Sequence, residues 1–128
     1  MPLSSLALDL FEEAITESGG NDLIFPGRVP KRSVAGHSVG TAMRYSLDLL
    51  GLEDATPHDL RRTAATGMAR LGVTRLVIDK VLNHVSADRS TIAGVYDRHA
   101  YEGEKRCALE SWADSIVAIL RGHENIGT

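Results

Sequence analysis

The sequence is poor in several things, and each lack excludes something. It has one cysteine, Cys107, in 128 residues. A lone thiol closes no disulfide within the chain, and such usage fits a reducing compartment. No apolar stretch approaches the roughly 20 residues that cross a bilayer. Met1-Pro2-Leu3 lacks the basic start of a secretory signal and leads into an acidic segment. A cytoplasmic setting with no membrane partner is therefore expected. His37, His99 and His123 stand at no metal-ligand spacing. Strict apolar–polar alternation, internal repeats and low-complexity tracts are also missing, so strands are not indicated.

Basic charge is missing from Met1 to Gly27, where Asp9, Glu12, Glu13, Glu17 and Asp22 stand without a Lys or Arg. Every cation comes later. The net charge of −3 taken alone speaks against a nucleic-acid partner. The uneven distribution is compatible with a basic working face on an acidic back, and equally with an ordinary mixed surface.

What is present is helical periodicity. The length suits one domain, able to bury roughly two-thirds of its unfolded surface. Leu3, Leu6, Ala7, Leu10, Phe11, Ala14 and Ile15 repeat at helical spacing over residues 4–18, with Ser4 as N-cap and Gly19-Gly20 as the stop. Residues 21–37 carry Pro26, Gly27, Pro30 and Gly36 and read as a loop that includes the basic cluster Arg28, Lys31 and Arg32. A second helix is predicted from Ser38 to Gly51, with Val39, Ala42, Met43, Ser46, Leu47 and Leu50 on one face. The third has the clearest start: Thr56 can cap, Pro57 suits the first helical position, and Asp59 completes a capping box. Its expected core stripe is Leu60, Ala64, Met68 and Leu71, closed by Gly72. Thr74 is expected to cap a short fourth helix with Val77, Ile78, Val81 and Leu82 inward. Residues 83–95 are less regular. A last helix spans Tyr101 to Leu120, with Leu109, Trp112, Ala113, Ile116 and Leu120 on one face, before a loose tail from Gly122. The expected fold class is all-α, one domain.

Several polar residues are not needed for this core. His58 and Arg61 are three apart at the start of the third helix and project from neighbouring points. A helix N-terminus attracts anions, and a guanidinium can hold two phosphate oxygens at once. Alone, the pair also fits ordinary surface. His84 follows in Leu82-Asn83-His84, where a histidine commonly answers a helix C-terminus. Tyr96 follows in Val95-Tyr96-Asp97-Arg98-His99, and a lone tyrosine is usually structural.

Their order is informative. The string Thr56-Pro57-His58-Asp59-Leu60-Arg61-Arg62-Thr63-Ala64-Ala65-Thr66, then Leu82-Asn83-His84, then Val95-Tyr96-Asp97-Arg98-His99 resembles the tyrosine recombinase (phage integrase) family. The family has a His-x-x-Arg box, a Leu-Gly-His-like box and a downstream Tyr in that order. Pro2-Leu3-Ser4 is similar to the segment after the family's β-hairpin. The resemblance covers nearly the whole chain and identifies it as the C-terminal part of a catalytic domain.

That resemblance implies a DNA breaking and rejoining enzyme. Tyr96 would be the nucleophile, forming a 3′-phosphotyrosyl link. Arg61 would stabilise charge on the non-bridging phosphate oxygens. His58 would assist proton transfer or bind the phosphate, and His84 would hydrogen-bond it. A phenol of pKa near 10 needs a cationic pocket to attack at neutral pH. The implied partners are double-stranded DNA and other recombinase protomers in a synaptic tetramer, at the nucleoid. No cofactor, metal or small-molecule substrate is implied.

The sequence also departs from the pattern. Asn83 stands where Gly is common, and the step of twelve positions from His84 to Tyr96 is longer than the family's usual one. The family's earlier Arg, its hairpin Lys (the expected general acid) and its core-binding domain would all lie upstream of Pro2. The 128 residues are therefore expected to be a partial catalytic domain, inactive alone. Tyr101 is a rival nucleophile whose place at a helix start suggests packing. The competing reading is a non-catalytic helix-turn-helix DNA binder built from helix 57–71, the turn at Gly72-Val73 and helix 75–83. It leaves the four polar residues unrelated.

Overall fold

A computed structural model describes residues 1–29, 31–83 and 101–124, with backbone alone for His123 and Glu124. Among these residues there are five helices: α1 (Ser5–Glu17), α2 (Gly36–Leu50), α3 (Pro57–Arg70), α4 (Arg75–Val81) and α5 (Glu102–Glu124). The described residues contain no β-strand, only an isolated antiparallel bridge between Pro26 and Ser33. The fold is all-α. No described helix is long and apolar enough to cross a membrane. Contacts cluster into two compact units, Met1–Leu8 with Ala64–Thr128, and Asp9–Thr63.

In the first unit the core is Met68, Val77, Ile78, Val81 and Ala108, flanked by Ala64, Ala65, Val73, Leu82, Tyr101, Leu109 and Trp112. Helix α4 packs on α5, so the post-tyrosine helix docks on its own chain. Met68 is the most enclosed side chain, 1% exposed. Gly67, beside it, lets the Trp112 indole lie on the α3 backbone: a Cβ at Gly67 would sit 2.1 Å from Trp112 Cζ3. Near the N-terminus Ser4 caps α1 as expected, its Oγ accepting the Ala7 N–H at 3.3 Å. Ser5 ties this end to α5: its N–H donates to Glu110 Oε2 at 3.0 Å and its hydroxyl donates to Glu110 Oε1. These bonds hold the Glu110 carboxyl below its ordinary pKa, with the nearby Arg106 charge a smaller contribution.

In the second unit Leu47 is the buried residue of α2, and Phe11 meets Phe25 with ring centroids 6.3 Å apart. Helix α2 begins at Gly36, two residues before the predicted start. Its inward positions are Gly40, Met43, Ser46 and Leu47, while Val39, Ala42 and Leu50 face solvent. The predicted stripe was thus rotated, because bulky aliphatics at 39 and 50 were counted as core. The same error affected α3. Leu60 is 59% and Leu71 45% exposed, whereas Ala64, Ala65 and Met68 turn inward. In α5 the predicted face holds through Ile116, but Leu120 is 57% exposed.

Candidate active site

The candidate site begins where α3 begins. Thr56 N–H and hydroxyl both donate to Asp59 Oδ2, at 3.0 and 2.5 Å, and Asp59 N–H donates back to Thr56 Oγ1 at 3.3 Å. This is the reciprocal capping box read from the sequence. It holds the Asp59 carboxyl below its ordinary pKa. The Thr56 hydroxyl contributes most, the Thr56 N–H next, and the Arg62 and His58 charges least, against a small opposing desolvation.

The cap narrows how this end could hold an anion. Pro57 has no N–H, and the Asp59 and Leu60 N–H groups donate to the Thr56 carbonyl at 3.0 and 3.3 Å. The Asp59 carboxylate already answers the helix dipole. With the Asp59 and Leu60 N–H groups engaged, an anion at this end would be met mainly by side chains. His58 is exposed and Arg61 half-buried. Arg61 stands at i in the i, i+3, i+4, i+7 row with Ala64, Ala65 and Met68, not off the core stripe as the Leu-based phasing implied. A guanidinium in such a place is less screened than one in open water. Arg62 is exposed beside it.

At the far end of α4, Leu82 is the C-cap and Asn83 follows with φ 51°. That is the left-handed region, which glycine enters freely and asparagine more readily than other residues. Asn83 thus stands at a position whose backbone glycine would also adopt readily. His84 and Tyr96, the other two candidate catalytic residues, lie outside the described residues, as does His99. Tyr101 is half-buried against the core, with Lys80 Nζ 5.6 Å from its ring centroid, which is the environment of a packing residue. Among the described residues no cluster of three or more His, Cys, Asp or Glu could hold a metal ion.

Up to Gly36, where α2 begins, the described residues from 21 onward form a loop as the sequence reads, but backbone bonds close a hairpin-like turn within it that sequence reasoning did not find. Gly27 N–H donates to the Arg32 carbonyl at 2.7 Å and Val34 N–H to the Phe25 carbonyl at 2.9 Å. Gly27 in a Pro-Gly pair, six residues before Ser33, was the available signal.

Comparison with known proteins supports the family resemblance. The phage integrase family model matches residues 1–102. Among curated proteins, the prophage integrase IntZ of Escherichia coli (strain K12) is 30% identical over 126 residues, covering 98% of this chain and 30% of that protein. The prophage integrase IntA of the same strain is 32% identical over 124 residues, covering 95% of this chain and 29% of that protein. No solved structure gives a significant match. The chain belongs to the phage integrase family. It spans about 30% of the length of these relatives.

Proposed function

We propose that the chain carries the His-x-x-Arg, His and Tyr portion of a tyrosine recombinase site and serves site-specific integration or excision of DNA. The observation that carries this is the family match over residues 1–102, which includes His58 and Arg61 at the capped start of α3. Tyr96 Oη attacks the scissile phosphorus and the bond to the 5′ oxygen breaks. The tyrosyl proton passes to His58. The leaving 5′ oxygen takes its proton from a general acid, which the family places upstream of Pro2. Arg61 and His84 balance the charge that grows on the non-bridging oxygens. The 3′-phosphotyrosyl bond keeps the energy of the broken ester, so rejoining to a new 5′-hydroxyl needs no ATP or metal. The substrate is double-stranded DNA, the working assembly a tetramer of protomers on paired sites, and the setting the bacterial nucleoid.

The helix-turn-helix alternative finds less support. Helix α4 has seven residues, buries Val77, Ile78 and Val81, and pairs its Arg75 with Asp79 at 3.6 Å. Little of it remains to read a groove.

The test is covalent capture on a nicked site, using a recombinase that contains this segment. Tyr96→Phe should abolish the protein–DNA adduct and Tyr101→Phe should leave it, while Arg61→Ala slows its formation by about 10²–10³. An adduct that survives Tyr96→Phe and vanishes in Tyr101→Phe would overturn the assignment. The 128 residues alone should give no adduct.

A further inference from the structure

The hairpin at Phe25–Val34 is not used by the chemistry above. Its base is held by the Phe11–Phe25 contact, and its two sides are joined by the Pro26–Ser33 bridge and the bonds between Gly27 and Arg32 and between Val34 and Phe25. At Gly27 the chains approach so closely that a Cβ would lie 2.8 Å from the Ser33 carbonyl oxygen and 3.0 Å from that of Arg32. Both obstacles are backbone and cannot swing aside. The tip turns through Lys31 at φ 60°, and the Arg32 N–H donates to the Val29 carbonyl at 3.1 Å. Arg28, Lys31 and Arg32 all fall within the segment these bonds close. All three are exposed. Among the described residues none of them forms an ion pair with a carboxylate, although the preceding helix α1 is acidic.

Three exposed cations on one turn, with no carboxylate partner among the described residues, suit a polyanion with regularly spaced charges. We propose that this hairpin is a backbone finger that contacts DNA phosphates through Arg28, Lys31 and Arg32, adding affinity without reading sequence. The inference rests on the DNA-binding reading. It adds a contact surface separate from the residues at the start of α3. The bond that the Gly27 N–H donates to the Arg32 carbonyl closes the turn, so the finger needs both its charge and its turn.

The test measures affinity of the 128-residue chain for a duplex of arbitrary sequence as salt is varied. In the triple variant Arg28→Gln, Lys31→Gln, Arg32→Gln, the slope of log affinity on log salt should weaken by about 2–3, so the wild-type advantage at about 50 mM salt shrinks roughly 40-fold by about 200 mM. Arg28→Lys with Arg32→Lys should keep the wild-type slope. Gly27→Ala keeps every charge but forces the hairpin open, and it should weaken binding severalfold while helical circular dichroism is unchanged. A wild-type slope in the triple variant overturns the finger while leaving recombination, judged by the Tyr96 adduct, untouched. Absence of salt-dependent binding by the wild-type chain also overturns it. So does a variant that alters self-association in sedimentation but not the DNA slope, because the tip would then dock on the acidic surface of a second copy.

Discussion

Gly67→Ala should destabilise the protein although it improves the helix. In an open helix the change gains about 1 kcal/mol. Here the new methyl would lie 2.1, 2.6 and 2.7 Å from Trp112 Cζ3, Cη2 and Cε3, against a comfortable carbon–carbon separation of about 3.5–4.0 Å. Overpacking of this kind costs about 1–3 kcal/mol when neighbours can shift. Expelling the indole altogether approaches the loss of about 3–5 kcal/mol seen on removing a buried Trp. The balance is a net loss of about 2 kcal/mol, equivalent to a drop of roughly 6–12 °C in Tm for a domain of this size. Trp112 is the only tryptophan, so its emission should shift to the red as thermal unfolding is followed. The decisive comparison is the double-mutant cycle with Trp112→Leu. With the indole gone, Gly67→Ala should become neutral or stabilising by up to about 1 kcal/mol. A Gly67→Ala protein at least as stable as wild type, or one equally harmed in both backgrounds, would refute the packing argument.

Other outcomes follow from the caps. Thr56→Ala should cost about 0.5–2 kcal/mol in urea unfolding, and a cost near zero would mean the capping box is not formed in solution. Asp59 and Glu110 both have folded pKa values below their ordinary ones. Their stabilisation is therefore complete above the ordinary carboxylate range and is lost as pH falls through the lower folded values. Urea midpoints from about pH 6 down to about pH 3 should decline, and Ser5→Ala should make that decline shallower; an unchanged profile would show that the Glu110 bonds are not made. Asn83→Gly should remain within about 1 kcal/mol of wild type, whereas Asn83→Val should lose about 1–2 kcal/mol more, since a β-branched residue resists a left-handed backbone. Equal stability of the two would show that position 83 is not held at positive φ.

Much of the fold was legible because helix ends are written locally. Ser4, Thr56-Pro57-Asp59, Gly51 and Gly72 carry their signals in their own side chains or lack of them, and all act where expected. Helix faces were harder. With few helices and a small core, large aliphatics such as Leu60, Leu71 and Leu120 cannot all be enclosed, and alanines take the crowded positions instead. The contact between Gly67 and Trp112 was invisible because neither residue announces a partner 45 positions away (112 − 67). Hairpin formation depends on backbone bonds to Gly27 and Val34 that leave no side-chain pattern. At the candidate site His58 and Arg61 were singled out by their spacing together with the family resemblance, but the half-buried state of Arg61 required the true phase of α3.

The indole on Gly67 also bears on the order in which the chain acquires structure. A glycine inside α3, near its C-terminal end, weakens that helix by up to about 1 kcal/mol until something covers it. What covers it arrives late. During synthesis at about 5–20 residues per second, the 45 positions from Gly67 to Trp112 take roughly 2–9 s to add. Through that interval the stretch that carries His58 and Arg61 has its caps but not its lid. The packing that covers the Gly67 end of α3 is therefore completed at the end of folding rather than at its beginning.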